Sequence, residues 1–145
     1  MKKIIFALSL IITTLCSCQE DDTIHNNMII GEWELSYAEV CDNDGNIIFE
    51  GVESPGEVMT HLSFSCGTLV TTINYDEEDI ENYIYRIEDN TLYLMDNGWS
   101  FKLNIEKLSK KELVITYPKS RYIYDDDSES YVDFEFIFRL YYKKQ

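Results

Sequence analysis

The side chains that could do chemistry in this chain are few, and most are carboxylates. Asp42-Asn43-Asp44-Gly45-Asn46 begins like a calcium loop. An EF-hand, however, needs glycine at its sixth position, where Ile47 stands, although the twelfth is Glu53. Asn-Asp and Asp-Gly pairs are ordinary turn chemistry, so a hairpin turn is expected here. Asp125-Asp126-Asp127-Ser128-Glu129 and Asp76-Glu77-Glu78-Asp79 are denser acidic runs, and such runs are usually solvated faces. His25 and His61 are the two histidines, with no Gly-x-Ser-x-Gly elbow to supply a nucleophile. Nor is there the cluster of three or four His, Cys or carboxylate ligands that zinc requires. The expectation is a protein without catalytic residues, metal or cofactor.

The cysteines point elsewhere. Met1-Lys2-Lys3 followed by the apolar run Ile4–Leu15 reads as a signal peptide, too short for a membrane span of about 20 residues. It ends in Leu15-Cys16-Ser17-Cys18, which resembles the bacterial lipobox. That resemblance implies cleavage before Cys18 and lipid attachment to its sulfur, with residues 1–17 discarded. Several acyl chains anchor firmly, since each buried CH2 is worth roughly 0.8 kcal/mol. Residues 18–27 then read as an acidic tether, and residues 28–145 as one domain.

Charge narrows the partners. All 27 acids follow the cut and two of the 12 Lys/Arg precede it, leaving ten against 27, a net of −17. Nucleic acid, whose phosphates require Lys/Arg, is excluded as a partner. Cationic partners would be attracted, although solubility alone accounts for the acidity.

Period-two alternation runs along nearly the whole domain. Trp33, Leu35 and Tyr37 share one face; "NIIFE" (46–50) is a short apolar run; Val58, Thr60, Leu62 and Phe64 alternate next. "LVTTINY", "YIYRI", "TLYLM", "WSFKLNI" and "ELVITY" follow, with Trp99, Phe101, Leu103 and Ile105 on one face. Val132, Phe134, Phe136, Phe138, Leu140 and Tyr142 mark a long last strand, with Asp133, Glu135 and Arg139 opposite. Turns fall at 65–68, 88–90, 96–98 and 109–111, an acidic loop or one helical turn at 75–83, and a long acidic loop or extended hairpin at 118–131. This spacing predicts an all-β antiparallel up-and-down meander closing into a small barrel of about eight strands. Such a barrel is filled by side chains or holds one small ligand.

Cys41 and Cys66 depend on pairing. If the first strand pairs directly with Val58–Ser65, they lie about 30 Å apart at 3.3 Å per residue, beyond disulfide reach. If "NIIFE" intervenes as a strand, they fall at the same end and could bond.

Gly31-x-Trp33, the Gly67-Thr68 hairpin, and "Asn-Thr-Leu-x-Leu" followed by "Glu-Leu-Val-Ile" resemble, in order, the lipocalin-like domains of Bacteroidota lipoproteins over residues 29–117. The resemblance implies a lipocalin-like barrel whose first-strand Trp33 closes one end beneath an arginine of the last strand, here Arg139. It also implies that Glu20-Asp21-Asp22, just after the lipidated cysteine, direct the protein to the outer membrane and the cell surface, with the periplasmic face as the alternative. The expected function is non-catalytic binding of a small hydrophobic or amphipathic ligand near Trp33, Tyr37, Phe64, Trp99 and Phe136. The alternative is a packed barrel that binds a protein or glycan through its loops.

Overall fold

This computed structural model describes residues 27–52, 57–125 and 130–145. Residues 1–17, Cys18, the tether up to residue 26, and residues 126–129 of the acidic cluster lie outside the described residues.

Alternation of apolar and polar residues becomes nine strands: β1 (Gly31–Cys41), β2 (Ile47–Gly51), β3 (Met59–Phe64), β4 (Thr68–Ile73), β5 (Asp76–Glu88), β6 (Thr91–Asp96), β7 (Trp99–Leu108), β8 (Glu112–Asp125) and β9 (Ser130–Lys144). All neighbours pair antiparallel, and β1 also pairs with β9, so eight strands close a ring. β2 is the extra one. It pairs with the second half of β1 (Ala38–Gly51 to Cys41–Ile47), while β3 takes the first half (Gly31–Phe64 to Glu34–His61). "NIIFE" is therefore a strand, but it does not intervene: β1 still pairs directly with β3, and the cysteines do not fall at one end. Cys41 ends β1 far from Cys66, which follows β3 beside Gly31, and no disulfide joins them.

The turns are made by the residues that tolerate a left-handed backbone. Asn97-Gly98, with both φ positive, is the primed two-residue hairpin turn that matches strand twist. Asn74-Tyr75 does the same job with a bulky residue at φ 60°. Its cost is offset by tethering: the Tyr75 amide donates to Thr60 Oγ1 at 2.7 Å and its phenol to Leu35 O at 3.3 Å. The acidic run after it is a strand, neither loop nor helical turn, because this tight hairpin returns the chain along β4. Asp42 builds the β1–β2 turn by accepting the amides of Asp44 and Asn46 and the Asn46 side-chain amide. Those bonds, the side-chain one first, hold its carboxyl below the usual range.

The barrel interior is filled from one end. Trp33, Leu62, Leu69, Leu92, Leu113, Ile115 and Leu140 are wholly buried there, and Phe64 meets Tyr85 edge-on at 5.0 Å. Tyr142 spans this core, its phenol donating to Met59 O at 2.7 Å.

A bulge in β1 decides which residues see that interior. Pairing with β9 shifts between Leu35–Tyr142 and Tyr37–Tyr141, leaving Ser36 extra; its hydroxyl donates to Tyr141 O at 3.0 Å. Beyond the bulge Ala38 and Val40 point inward. Tyr37 is turned outward, edge-on to Tyr141 and donating to Glu50 at 2.8 Å. The expected Trp33–Leu35–Tyr37 face is therefore corrected: a one-residue slip moves every later side chain to the other face.

The closed end is also corrected. Arg139 does not cover Trp33. Its position in β9 faces outward opposite Glu39, where its guanidinium binds Glu39 at 3.1 Å and Glu106 at 2.9 Å. Lys144 stands opposite Trp33 instead, with Nζ 4.9 Å from the ring centroid and 3.0 Å from Met28 O. The Trp33 indole N–H donates to Ile29 O at 2.6 Å, so the short helical turn at residues 27–29 forms the plug. Gly31 is required here: its φ is +127°, and a Cβ would lie 2.8 Å from Lys144 Cε.

With Trp99→Phe as background, so that emission comes from Trp33, Lys144→Ala should shift that emission. It should also lower the urea-derived stability by about 1–2 kcal/mol, for a lost cation–π contact and hydrogen bond. Arg139→Ala should leave the emission unchanged; the reverse pattern would contradict this closure. Burial pushes the Tyr117 phenol up to about 12 and that of Tyr142 well above 10. In the unfolded chain both ionise near pH 10, so above that pH the unfolded state binds fewer protons and stability must fall as pH rises. Urea midpoints should drop steeply between about pH 9 and about pH 12, and Tyr142→Phe should flatten the drop.

Candidate binding site at the barrel mouth

The inward stripes run past the packed core toward the end opposite Trp33. There, Tyr83 of β5, Leu94 of β6, Phe101 and Leu103 of β7 and Tyr117 of β8 converge with Val58, Met59 and Ile73. Strand alternation places each: Tyr83 is two residues before buried Tyr85, Phe101 two before buried Leu103, and Tyr117 two after buried Ile115. They enclose an open cleft of about 410 Å³, whose polar lining is Glu57, Asp79 and Glu81. That volume lies within the range of small-molecule sites.

The cup has defined walls. Leu94 and Leu103 are buried, Tyr83 and Tyr117 half-buried, and Phe101 about half exposed at the rim. Tyr83 and Phe101 meet edge-on at 6.1 Å, while Tyr117 stacks on Phe138 at 5.4 Å and 12°. The Tyr83 phenol donates to the Glu81 carboxylate. Burial, then that bond, raises its pKa well above the ordinary value.

One wall is split. Pairing of β7 with β8 runs from Leu108–Leu113 to Asn104–Thr116 and stops. Beyond it, β7 pairs only with β6 as far as Trp99, and β8 only with β9 as far as Asp125–Ser130. A second cleft of about 450 Å³ lies at this seam, and Leu103 and Tyr117 line both. The cup therefore opens sideways as well as upward, and the β8–β9 hairpin projects past the barrel as a ribbon. This is the extended hairpin expected at 118–131, with residues 126–129 outside the described residues.

The five expected ligand residues are scattered. Trp33 and Phe64 belong to the packed closed end and are 0% and 2% exposed. Tyr37 is on the outer face. Trp99 begins β7 on the same face as Phe101, but it is 74% exposed beyond the rim. Phe136 is half-buried on the mouth side of β9, stacked with Phe134 at 6.4 Å, and is not part of the cup lining. The residues that do line the cup continue stripes visible in the sequence, namely Phe101, Leu103 and Tyr117. What was missing was their height along the barrel axis, which strand pairing sets. His61 lies on the outer face, 2.7 Å from Glu32. Among the described residues no three His, Cys, Asp or Glu converge to hold a metal ion.

No protein-family model matches the chain, and a search of curated proteins finds no match. Three solved structures are similar to it. A lipocalin-like protein from Bacteroides uniformis is 12% identical, with a TM-score of 0.48, covering 80% of this chain and 97% of its own. The bovine lipocalin allergen Bos d 2 is 22% identical, with a TM-score of 0.41, covering 81% and 75%. A bovine odorant-binding protein, studied as a deswapped triple mutant, is 16% identical, with a TM-score of 0.40, covering 79% and 72%.

Proposed function

We propose that this chain is an exported, lipid-anchored, lipocalin-like barrel that binds a small hydrophobic or amphipathic ligand in the cup at its mouth, without catalysing a reaction. One observation carries the reading: apolar and aromatic side chains from six strands line a cleft of about 410 Å³ where the packed core ends. An aromatic ring with a hydroxyl at its edge, as in Tyr83 and Tyr117, suits a ligand with one apolar and one wet end. The cup sits at the mouth and not at the barrel centre, which Trp33, Tyr142 and their neighbours already occupy.

Anchoring is proposed from the lipobox-like Leu15–Cys18 stretch, with the acyl chains on Cys18. The outer membrane, with the barrel at the cell surface, is the proposed location, from the three acids that follow. A second reading has one observation in its favour. The filled lower barrel and the projecting β8–β9 ribbon, with Phe134 45% and Ile137 38% exposed, suit a surface protein that grips a protein or glycan by its edges.

Native mass spectrometry of the full chain purified from its own host tests both parts. Acyl mass on the chain should vanish in Cys18→Ser. A non-covalent small molecule should accompany the protein, and Phe101→Ala should weaken its retention roughly tenfold, the equivalent of about 1.4 kcal/mol. Retention unchanged by Phe101→Ala and by Tyr117→Ala would place the ligand elsewhere.

A further inference from the structure

We propose that the cup selects a ligand with a cationic head group, an ammonium or guanidinium carried on an apolar or aromatic body. This deepens the reading of the cup as a ligand site and rests on it. Of the residues lining the cleft, three are carboxylates, Glu57, Asp79 and Glu81, and none is lysine or arginine. Every charge lining this cleft has one sign, and the one cation beside it, Lys102, lines the neighbouring cleft at the β7–β8 seam.

The placement of two of these acids follows from an irregularity in β5. Its pairing with β4 jumps from Thr72–Ile80 to Ile73–Asp76, so residues 77–79 of β5 have no counterpart on β4 and the strand bellies out at the rim. Asp79 and Glu81 then continue the inward alternation of Tyr83 and Tyr85, which puts carboxylates directly above aromatic wall. Glu81 is oriented by the Tyr83 hydroxyl that donates to it. A carboxylate has about four acceptor sites, so one donated bond leaves it able to receive a ligand N–H. The rings of Tyr83, Phe101 and Tyr117 also line the cleft, and aromatic rings attract cations.

The size of the cation is bounded too. The three carboxylates do not converge tightly enough to form a metal site among the described residues. A spread of negative charge around an apolar cup fits a diffuse organic cation better than a compact divalent ion. The net charge of −17 after the cut would draw such a ligand in and oppose a fatty-acid-like anion.

The test uses three probes with one body and different heads: phenylbutylammonium, phenylbutanol and phenylbutyrate. Each is titrated against the full chain by saturation-transfer NMR. The ammonium should bind roughly tenfold more tightly than the carboxylate, with the alcohol between them. Asp79→Asn with Glu81→Gln should remove most of that preference while leaving the alcohol's affinity in place, and added salt should do the same. Both positions are exposed, so the fold should tolerate the change, which a matching urea midpoint would verify. If the alcohol binds and the ammonium binds no better, charge selection is overturned while the cup remains a ligand site. If none of the three binds, both readings fall.

Discussion

β1 pairs along one edge with β9, from Trp33–Lys144 to Cys41–Ile137, and this ladder turns an open meander into a ring. Without it, β9 and β1 would be free edges, and the inward face of every strand would lack the opposite wall that buries it. The same ladder sets the barrel's polarity. It brings the chain's last residues onto its first described ones, so that Lys144 lies over Trp33 and bonds Met28 O. One end is thereby plugged with an indole, a helical turn and a lysine stem, which leaves the mouth and the β7–β8 seam as the openings among the described residues.

Packing then decides how much room is left. Near the plug, indole, phenyl and phenol rings fill the bore, and Tyr142 crosses it to reach Met59. Toward the mouth the strands diverge: β7 and β8 part after Asn104–Thr116, β5 bellies away from β4, and β2 takes over from β3 beside β1. Each departure removes a neighbour from the ring, and the side chains there no longer meet across it. The cup lies beside the irregularities of β5 and of the β7–β8 seam, and Asp79 and Glu81 carry the inward alternation of β5 out to its rim.

Much of the architecture was legible in the residues. Period-two stripes and Asn-Gly, Asp-Asn and Ser-Lys turns located the strands because each strand has one wet face and each turn needs a particular backbone. Strand alternation placed Arg139 on the outer face of the last strand, opposite the series Phe138, Leu140 and Tyr142, and the structure carries that inward series on to Lys144. The resemblance pointed to Arg139 as the cation over Trp33, and in this chain the alternation was the better guide. What one-dimensional pattern does not carry is the extra residue of a bulge. Ser36 has no signature, yet it turns Tyr37 from the interior to the surface. Height along the barrel axis is equally hidden. Phe64 and Phe101 look alike in alternation, and only pairing puts one in the plug and the other at the rim.

A ligand held at the mouth, above a filled barrel, would be visible in a crystal structure of the protein purified from its own host with its co-purified molecule retained. Density for that molecule is expected against Leu103, Tyr117 and Phe101, with a polar or charged group toward Glu81. Density lodged between Trp33, Phe64 and Tyr142, which would require the packed end to open, would contradict it.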